Sequence, residues 1–392
     1  MISREHPALD EVAQERWDIV VVGAGPSGAM TAREVALHGA RVLLVDRAAF
    51  PRYKVCGCCL NARATGLLAD AGLGSILNTA EASPLHDFRL AVRGRSATVG
   101  LSPGGVALSR SVLDDALVQA AIEAGTVFLD ETMVHIGSVS SDFRSLHLAT
   151  RHAEVRIQTR IVVAADGLSQ GLLRELADQP SAPQANSHIG AGAMIDDLNA
   201  EFEQGTIYMA CGAGGYVGLV RLGSGQLNVA AALNADCVRA KGGLAQAAHS
   251  IVSEAGYPCP SSLDTAQWRG TPPLTRRTPN VSGHRFFVVG DAAGYVEPFT
   301  GEGMAWALSA AKAVAPFALA GADEFDPNLS RDWSRAHRRL VSRSHRRCRL
   351  IAAILRRPRL VGFAVHVIGW APQLAASLVK ELNGASTIKT EY

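Results

Sequence analysis

The stretch from residue 18 to residue 46 limits what this chain can fold into more than any other part. Asp18-Ile-Val-Val-Val22 is rich in β-branched residues, as a strand buried on both faces should be. It runs directly into Gly23-Ala-Gly25-Pro26-Ser27-Gly28, and then into a helical pattern with Met30, Val35 and Leu37 that stops at Gly39. A second buried strand, Val42-Leu-Leu-Val45, ends at Asp46 and Arg47. Glycine at 23 permits a tight turn, at 25 the close approach of a pyrophosphate, and at 28 contact between helix and strand. The helix start at Pro26 and Ser27 offers free N–H groups and the positive end of a dipole to phosphates. Asp46 follows about twenty residues on, where a carboxylate can accept both ribose hydroxyls. Strand, glycines, helix, strand and acid in that order predict a parallel α/β sheet that binds a dinucleotide.

Composition sets the outer limits. A chain of 392 residues with 48% hydrophobic residues is long enough for two or three units, each with its own core. A net charge of +2 speaks against a globally basic nucleic-acid binder. Seven cysteines, an odd number, are too few for a disulfide scaffold in so long a chain. The charged segment from Met1 to Trp17 lacks the plan of a secretory signal, so a reducing cytoplasmic setting is expected.

Two later strands decide which dinucleotide. Arg160-Ile-Val-Val-Ala-Ala-Asp166-Gly167 ends in Asp-Gly, and Phe286-Phe-Val-Val-Gly290-Asp291-Ala-Ala-Gly294 leads into Pro298-Phe-Thr-Gly301-Glu302-Gly303-Met304. Each puts a carboxylate at the carboxyl edge of the sheet, where ligands of open α/β sheets bind. A nicotinamide has little use for elements spread so widely, whereas the ribityl chain and ring of a flavin need them.

These segments resemble those of the group-2 flavoproteins with the para-hydroxybenzoate-hydroxylase fold. That superfamily includes aromatic monooxygenases, flavin-dependent halogenases and geranylgeranyl reductases. The resemblance covers roughly residues 16 to 320 and implies FAD as cofactor. It implies that Asp291 bonds the ribityl or pyrophosphate part and that Gly301, Gly303 and Met304 bring N–H groups to the ring. Ser109-Arg110-x-x-Leu-Asp114-x-x-Leu117 also matches, with Arg110 as an FAD contact, and a strand near Thr132–Ile136, including Val134, would carry adenine-side contacts.

Within the superfamily, Phe50-Pro-Arg-Tyr-Lys-Val-Cys56-Gly57 is similar to a loop of geranylgeranyl-reductase-like proteins, in which the cysteine lies beside the flavin. This chain departs from their pattern by continuing Cys58-Cys59. Arg52 and Lys54 would favour a thiolate at Cys56. The three cysteines can equally be small packing residues, and Cys56 and Cys59 also have the spacing of a dithiol. No second pair with metal-ligand spacing exists, so no metal is expected.

The expected architecture is a Rossmann-type FAD-binding domain (residues 16–75, 105–180 and 280–320) with an inserted antiparallel-sheet substrate domain (76–104 and 181–279). A C-terminal basic and apolar helical region spans 321–392. Strands are expected at His188–Met194, Thr206–Ala210, Gly215–Val220 and Gln226–Leu233, with Tyr208, Tyr216 and Trp268 as candidate pocket lining. Few histidines or carboxylates lie between Ile207 and Leu233, which suits an apolar substrate. Between Arg331 and Arg359 eleven arginines face one acid, Asp332. They could meet an anionic membrane surface or the phosphates of a phosphorylated or carrier-bound substrate. Leu360 to Val379 carries no formal charge, but His366, Pro372 and Gln373 argue against a spanning helix.

The resulting expectation is hydride transfer between flavin N5 and a C–C bond of an isoprenoid, lipid or polyketide. NAD(P)H would be the external donor, Cys56 the first candidate for the proton and Tyr216 the second. FAD- and NAD(P)H-dependent aromatic monooxygenation is the alternative, followed by a non-catalytic flavin-binding role. Halogenation is disfavoured: the lysine and the Trp-x-Trp-x-Ile-Pro signature of flavin halogenases have no counterpart, since no lysine occurs from Val55 to Ala240.

Overall fold

The computed structural model describes residues 7–79, 81–176, 182–196, 201–297 and 301–370. Its first layer is a parallel sheet in the order Phe286–Val288, Glu154–Ala164, Arg16–Val22, Val42–Val45, Val127–Leu129. Ile19, Val20 and Val21 are completely buried, as strands covered on both faces require. Met133–Val139 and Arg144–Ala149 extend Glu154–Ala164 as an antiparallel meander. Helices Pro26–Leu37, Arg110–Glu123 and Glu302–Asp323 pack against this layer and one another. Glu302–Asp323 is the one helix among the described residues long and apolar enough to cross a membrane, and more than half of its apolar window is buried in the core.

The second layer has seven strands in the order Arg269–Pro273, Ile189–Ile195, Leu227–Leu233, Gly215–Arg221, Thr206–Gly212, Asp87–Val92, Arg95–Gly100. It is not wholly antiparallel: Thr206–Gly212 runs parallel to Asp87–Val92. The last two strands in this order come from a segment about a hundred residues earlier in the chain, so the join with Thr206–Gly212 is not a hairpin.

Two basic or apolar helices follow. Pro327–Leu355 begins with Asp326 as its cap, the side chain accepting the N–H of Asn328 at 2.8 Å. Trp333, fully buried, fastens it to the first layer by donating Nε1–H to the carbonyl of Val288 at 3.2 Å. Pro358–Trp370 then lies along Asp87–Val92 and Arg95–Gly100 of the second layer. The part of the uncharged stretch from residue 371 onward lies outside the described residues.

Candidate active site

Three glycines of the first turn do different work. Gly23 has φ +103°, and a Cβ there would stand 2.4 Å from the carbonyl oxygen of Ala165. A Cβ on Gly28 would stand 1.8 Å from the Gly23 carbonyl oxygen. Both positions exclude side chains by backbone contact. Gly25 is open instead: the nearest atoms are guanidinium nitrogens of Arg52 and Arg110, each 3.8 Å from where its Cβ would be. Two cations thus stand over the glycine at the helix start. Ser27 is buried with its hydroxyl unpartnered, against Gly290 of the distant Gly-Asp turn.

The acids gather around this turn. Asp46 accepts the Ala24 N–H at 2.8 Å and the Ala48 N–H at 3.0 Å, with Arg52 at 3.4 Å, so it holds the glycine turn in place. Asp114, fully buried, is gripped by Arg110 through two bonds of 2.8 Å and by Arg52 at 3.1 Å. Asp166 accepts the Leu172 N–H at 3.0 Å while its other oxygen is buried without a partner. Burial pushes its carboxyl up to about 6, opposed by backbone N–H groups and the charge of exposed Arg47. Asp291 is raised by burial against the pull of Arg110 and Lys54, and Lys54 is lowered by burial and by its neighbours Arg52 and Arg110.

This arrangement fits a dinucleotide. A cradle at Gly25 under two guanidinium groups, an orphaned hydroxyl at Ser27 and an orphaned carboxylate oxygen at Asp166 all meet the needs of a diphosphate and its sugars. Arg52, Lys54 and Arg110 would hold the phosphates, and Asp166 and Asp291 would take hydroxyl groups.

Arg52 was not singled out as a cofactor contact by the sequence, and its ion pair with Asp114 spans 62 residues. Val134 lies in the meander, paired with Leu148 and packed against the core of the parallel sheet. Two residues earlier Thr132 donates its N–H to the carbonyl of Asp46 at 3.0 Å. Gly301 has φ +73° and caps Glu302–Asp323, and a Cβ there would stand 2.7 Å from the carbonyl oxygen of Cys59. Gly303 faces a small cleft with Asp291, Trp306 and His337. The Met304 side chain goes into the core, leaving only its backbone for a ligand. Pro298 to Thr300 lie outside the described residues.

The loop from Phe50 to Cys59 joins the two layers. Phe50 donates its N–H to Asp130 at 2.9 Å and packs edge-on to Phe128 with ring centres 5.4 Å apart. At the far end Asn228 of the second sheet donates Nδ2–H to the carbonyl of Cys56 at 3.0 Å. Tyr53 crosses Gly192, where a Cβ would meet its hydroxyl at 2.8 Å. The three cysteines are free thiols. Cys58 takes φ +55°, uncommon for a side-chain-bearing residue, and its N–H points at the Cys56 sulfur 3.4 Å away. A hydrogen bond from Cys58 holds the Cys56 thiol well below its usual range despite burial, with help from Arg110. The cation that acts on Cys56 is Arg110, which also holds Asp114. Burial pushes Cys59 up.

Strand alternation sorts the aromatic residues. Tyr208 pairs with Leu219 on the face covered by helix Leu244–Ala255, where Trp268 also packs. Neither lines the side that meets the Cys56 loop, contrary to the expectation for both. Tyr216 pairs with Cys211 on the opposite face. There it bonds Glu297, which is 1% exposed and also meets His188 at 3.1 Å and Arg356 at 3.2 Å. Burial works against Glu297, but His188, Tyr216 and Arg356 together hold its carboxyl below the ordinary range. Burial and the Glu297 charge raise Tyr216, so its phenol stays protonated. Glu297 and His188 had no motif to betray them. Asn228 did have a signal, as the one amide in an otherwise apolar strand.

Comparison with known proteins agrees with this geometry. The model of the FAD binding domain family matches residues 16–219, and the chain belongs to that family. It is 28% identical over 324 residues to menaquinone reductase of Mycobacterium tuberculosis, covering 76% of this chain and 75% of that one. It is 27% identical over 309 residues to digeranylgeranylglycerophospholipid reductase 2 of Methanosphaera stadtmanae, covering 74% and 75%. Against conditioned medium factor receptor 1 of Dictyostelium discoideum identity is 22% over 330 residues, and the match spans 78% of this chain and 64% of that protein's length. The fold is shared with a geranylgeranyl bacteriochlorophyll reductase-like protein of Thermoplasma acidophilum (TM-score 0.76, 18% identity, covering 90% and 91%). It is also shared with p-nitrophenol 4-monooxygenase of Pseudomonas putida (TM-score 0.72, 16% identity, covering 94% and 97%). The protein is an FAD-dependent oxidoreductase.

Proposed function

We propose that this oxidoreductase transfers hydride between FAD and a carbon–carbon double bond of an apolar substrate, an isoprenoid, lipid or polyketide, with NAD(P)H as external donor. FAD, when bound, supplies the hydride at N5. The chain's residues supply position, dryness and the proton. Arg52, Lys54 and Arg110 fix the diphosphate end, and the Cys56 loop closes over the other. Around Cys56 and Cys58 the side chains of Leu85, Met194, Ile207, Val220 and Leu222 make an apolar wall. That wall beside a thiol that exchanges its proton near neutral pH is the observation that carries the reading.

Saturating the bond requires hydride on one carbon and a proton on its neighbour. Lowered to about 6 by Cys58 and Arg110, Cys56 takes up a proton from water near neutral pH and can pass it to the substrate carbon. The relatives named reductases, of a quinone and of a geranylgeranyl lipid, support reduction. The fold likeness to a monooxygenase keeps aromatic oxygenation as the second reading.

The test is Cys56→Ser. It should remain yellow and accept electrons from the donor as before, yet reduce the alkene at least tenfold more slowly. Undiminished alkene reduction would return Cys56 to a packing role. Anaerobically reduced protein should be reoxidised by an isoprenoid alkene; reoxidation only by oxygen, with a hydroxylated aromatic product, would favour the oxygenase.

A cytoplasmic location goes with this reading, supported by seven cysteines that form no disulfide among the described residues. The arginines between residues 331 and 359 are proposed to face an anionic partner, either a membrane or the phosphate of a phosphorylated or carrier-bound substrate.

A further inference from the structure

The C-terminal helix Pro358–Trp370 is apolar on two sides. Its inner side, Val361 and Val365, is buried with Leu355 against Phe88, Leu90 and Tyr216 of the second sheet. On its outer side Leu360, Phe363, Val367 and Trp370 are all exposed, Phe363 by 68% and Trp370 by 85%. Those four positions recur at steps of three and four and form one stripe. A soluble surface gains nothing from four large apolar side chains aligned in water, so the stripe has a partner.

The surroundings say what kind. Arg357 and Arg359 are exposed at the start of the same helix. On the preceding helix Arg343, Arg346, Leu350 and Ala353 form a second exposed row, with Leu350 65% exposed. Asp332, the one acid between residues 331 and 359, is paired with Arg335 at 3.4 Å. Apolar side chains ending in tryptophan, framed by guanidinium groups with no acidic partner among the described residues, complement a surface with a negative skin and an apolar interior. Arginine stems can lie along the apolar layer with their charges in the headgroups, and tryptophan favours that boundary.

We propose that this face docks on an anionic lipid bilayer, with Leu360, Phe363, Val367 and Trp370 entering the interface and the arginines meeting the headgroups. The proposal narrows the anionic partner named above to the membrane. It also makes helix Pro358–Trp370 the wall between the bilayer and the apolar interior that contains Tyr216.

The test is flotation of the FAD-loaded full chain with vesicles of phosphatidylcholine alone or with 30% phosphatidylglycerol, a composition chosen for about one anionic lipid in three. Binding should be at least tenfold stronger with phosphatidylglycerol and should weaken as salt rises. Phe363→Ser/Trp370→Ser should lose at least tenfold in vesicle affinity while its flavin spectrum and its turnover of a detergent-dispersed acceptor stay unchanged. Equal flotation of this variant and the parent would overturn the proposal. So would a self-association, seen by sedimentation without lipid, that the two substitutions abolish. Binding only to a soluble phosphorylated ligand or to RNA, with no flotation, would overturn it too. Loss of FAD or of alkene reduction in the parent would refute the proposed reaction and leave the flotation result standing.

Discussion

The cofactor half and the C-terminal helices are built on opposite plans. In the first, main chain touches main chain: Gly23 against Ala165 and Gly28 against Gly23, with Asp46 tying the turn from below. In the second, side chains fill space. Trp333, Cys348, Leu355, Val361 and Val365 reach into pockets made by distant parts of the chain. A backbone contact has no substitute residue, whereas a packed side chain can be exchanged for another of similar volume. The cofactor half should therefore fail abruptly under mutation, and the C-terminal helices gradually.

The sharpest break is available inside the glycine turn. Gly28→Val would force a side chain into the Gly23 carbonyl, so it should give protein that does not fold into a soluble form. Gly25→Val has ordinary space and displaces only two arginine side chains. It should fold, keep its thermal transition within a few degrees of the parent's, and be colourless because the added atoms occupy the phosphate approach. Circular dichroism and flavin absorbance separate the two. A yellow Gly25→Val protein would refute the assignment of this turn to the pyrophosphate.

Next in size is Arg110→Leu. It removes the bidentate partner of Asp114, whose side chain is completely buried, and leaves Arg52 as the remaining cation. Removing one member of a buried pair costs about 3–5 kcal/mol. With Arg52 in place the lower figure is expected, measured by denaturant unfolding of the apoprotein. Asp114→Asn in the same background should restore part of the loss, because an amide asks for no counter-charge. A loss below about 1 kcal/mol would mean that Asp114 is content with Arg52 alone.

The same contrast governs what could be read from the sequence. Backbone approach demands glycine, and a ligand at a strand's carboxyl edge demands an acid there, so the first turn, Asp166 and Asp291 stood out. The strands from Ile189 to Leu233 were legible within a residue or two because each is a continuous apolar run. Which face a residue took was not legible. Tyr208 and Tyr216 look alike along the chain, and only register sends one under helix Leu244–Ala255 and the other toward Glu297. Long-range polar partners were also hidden: nothing in spacing connects Arg52 with Asp114, or Glu297 with His188 and Arg356. Even the Arg110–Asp114 pair, four residues apart on one helix, was present in the sequence only as part of a motif.

The smallest predicted effect, and the one that best sharpens the contrast, is on pH. In the cofactor half, burial raises Asp166 from 3.8 to about 6. The folded protein then holds a proton that the unfolded chain has released, so stability falls as pH rises from about 4 to 6 and is flat beyond. In the C-terminal helices, burial lowers His337 from 6.5 to about 4, and His345 shifts the same way. The unfolded chain now binds the proton that the fold refuses, so stability falls as pH drops from about 6.5 toward 4. Each shift is worth about 3 kcal/mol over its window, and the two slopes oppose one another in the apoprotein. Substituting one group at a time should expose the other. His337→Leu should remove about half of the acid-side loss, leaving the opposed shifts of His345 and Asp166 nearly to cancel between pH 4 and 6. Asp166→Asn should instead remove the loss on rising pH, with the gain in denaturant midpoint appearing above pH 6. Identical pH profiles for parent and His337→Leu would mean that the ring already takes up its proton within the fold, through a path to water between helices Pro327–Leu355 and Glu302–Asp323.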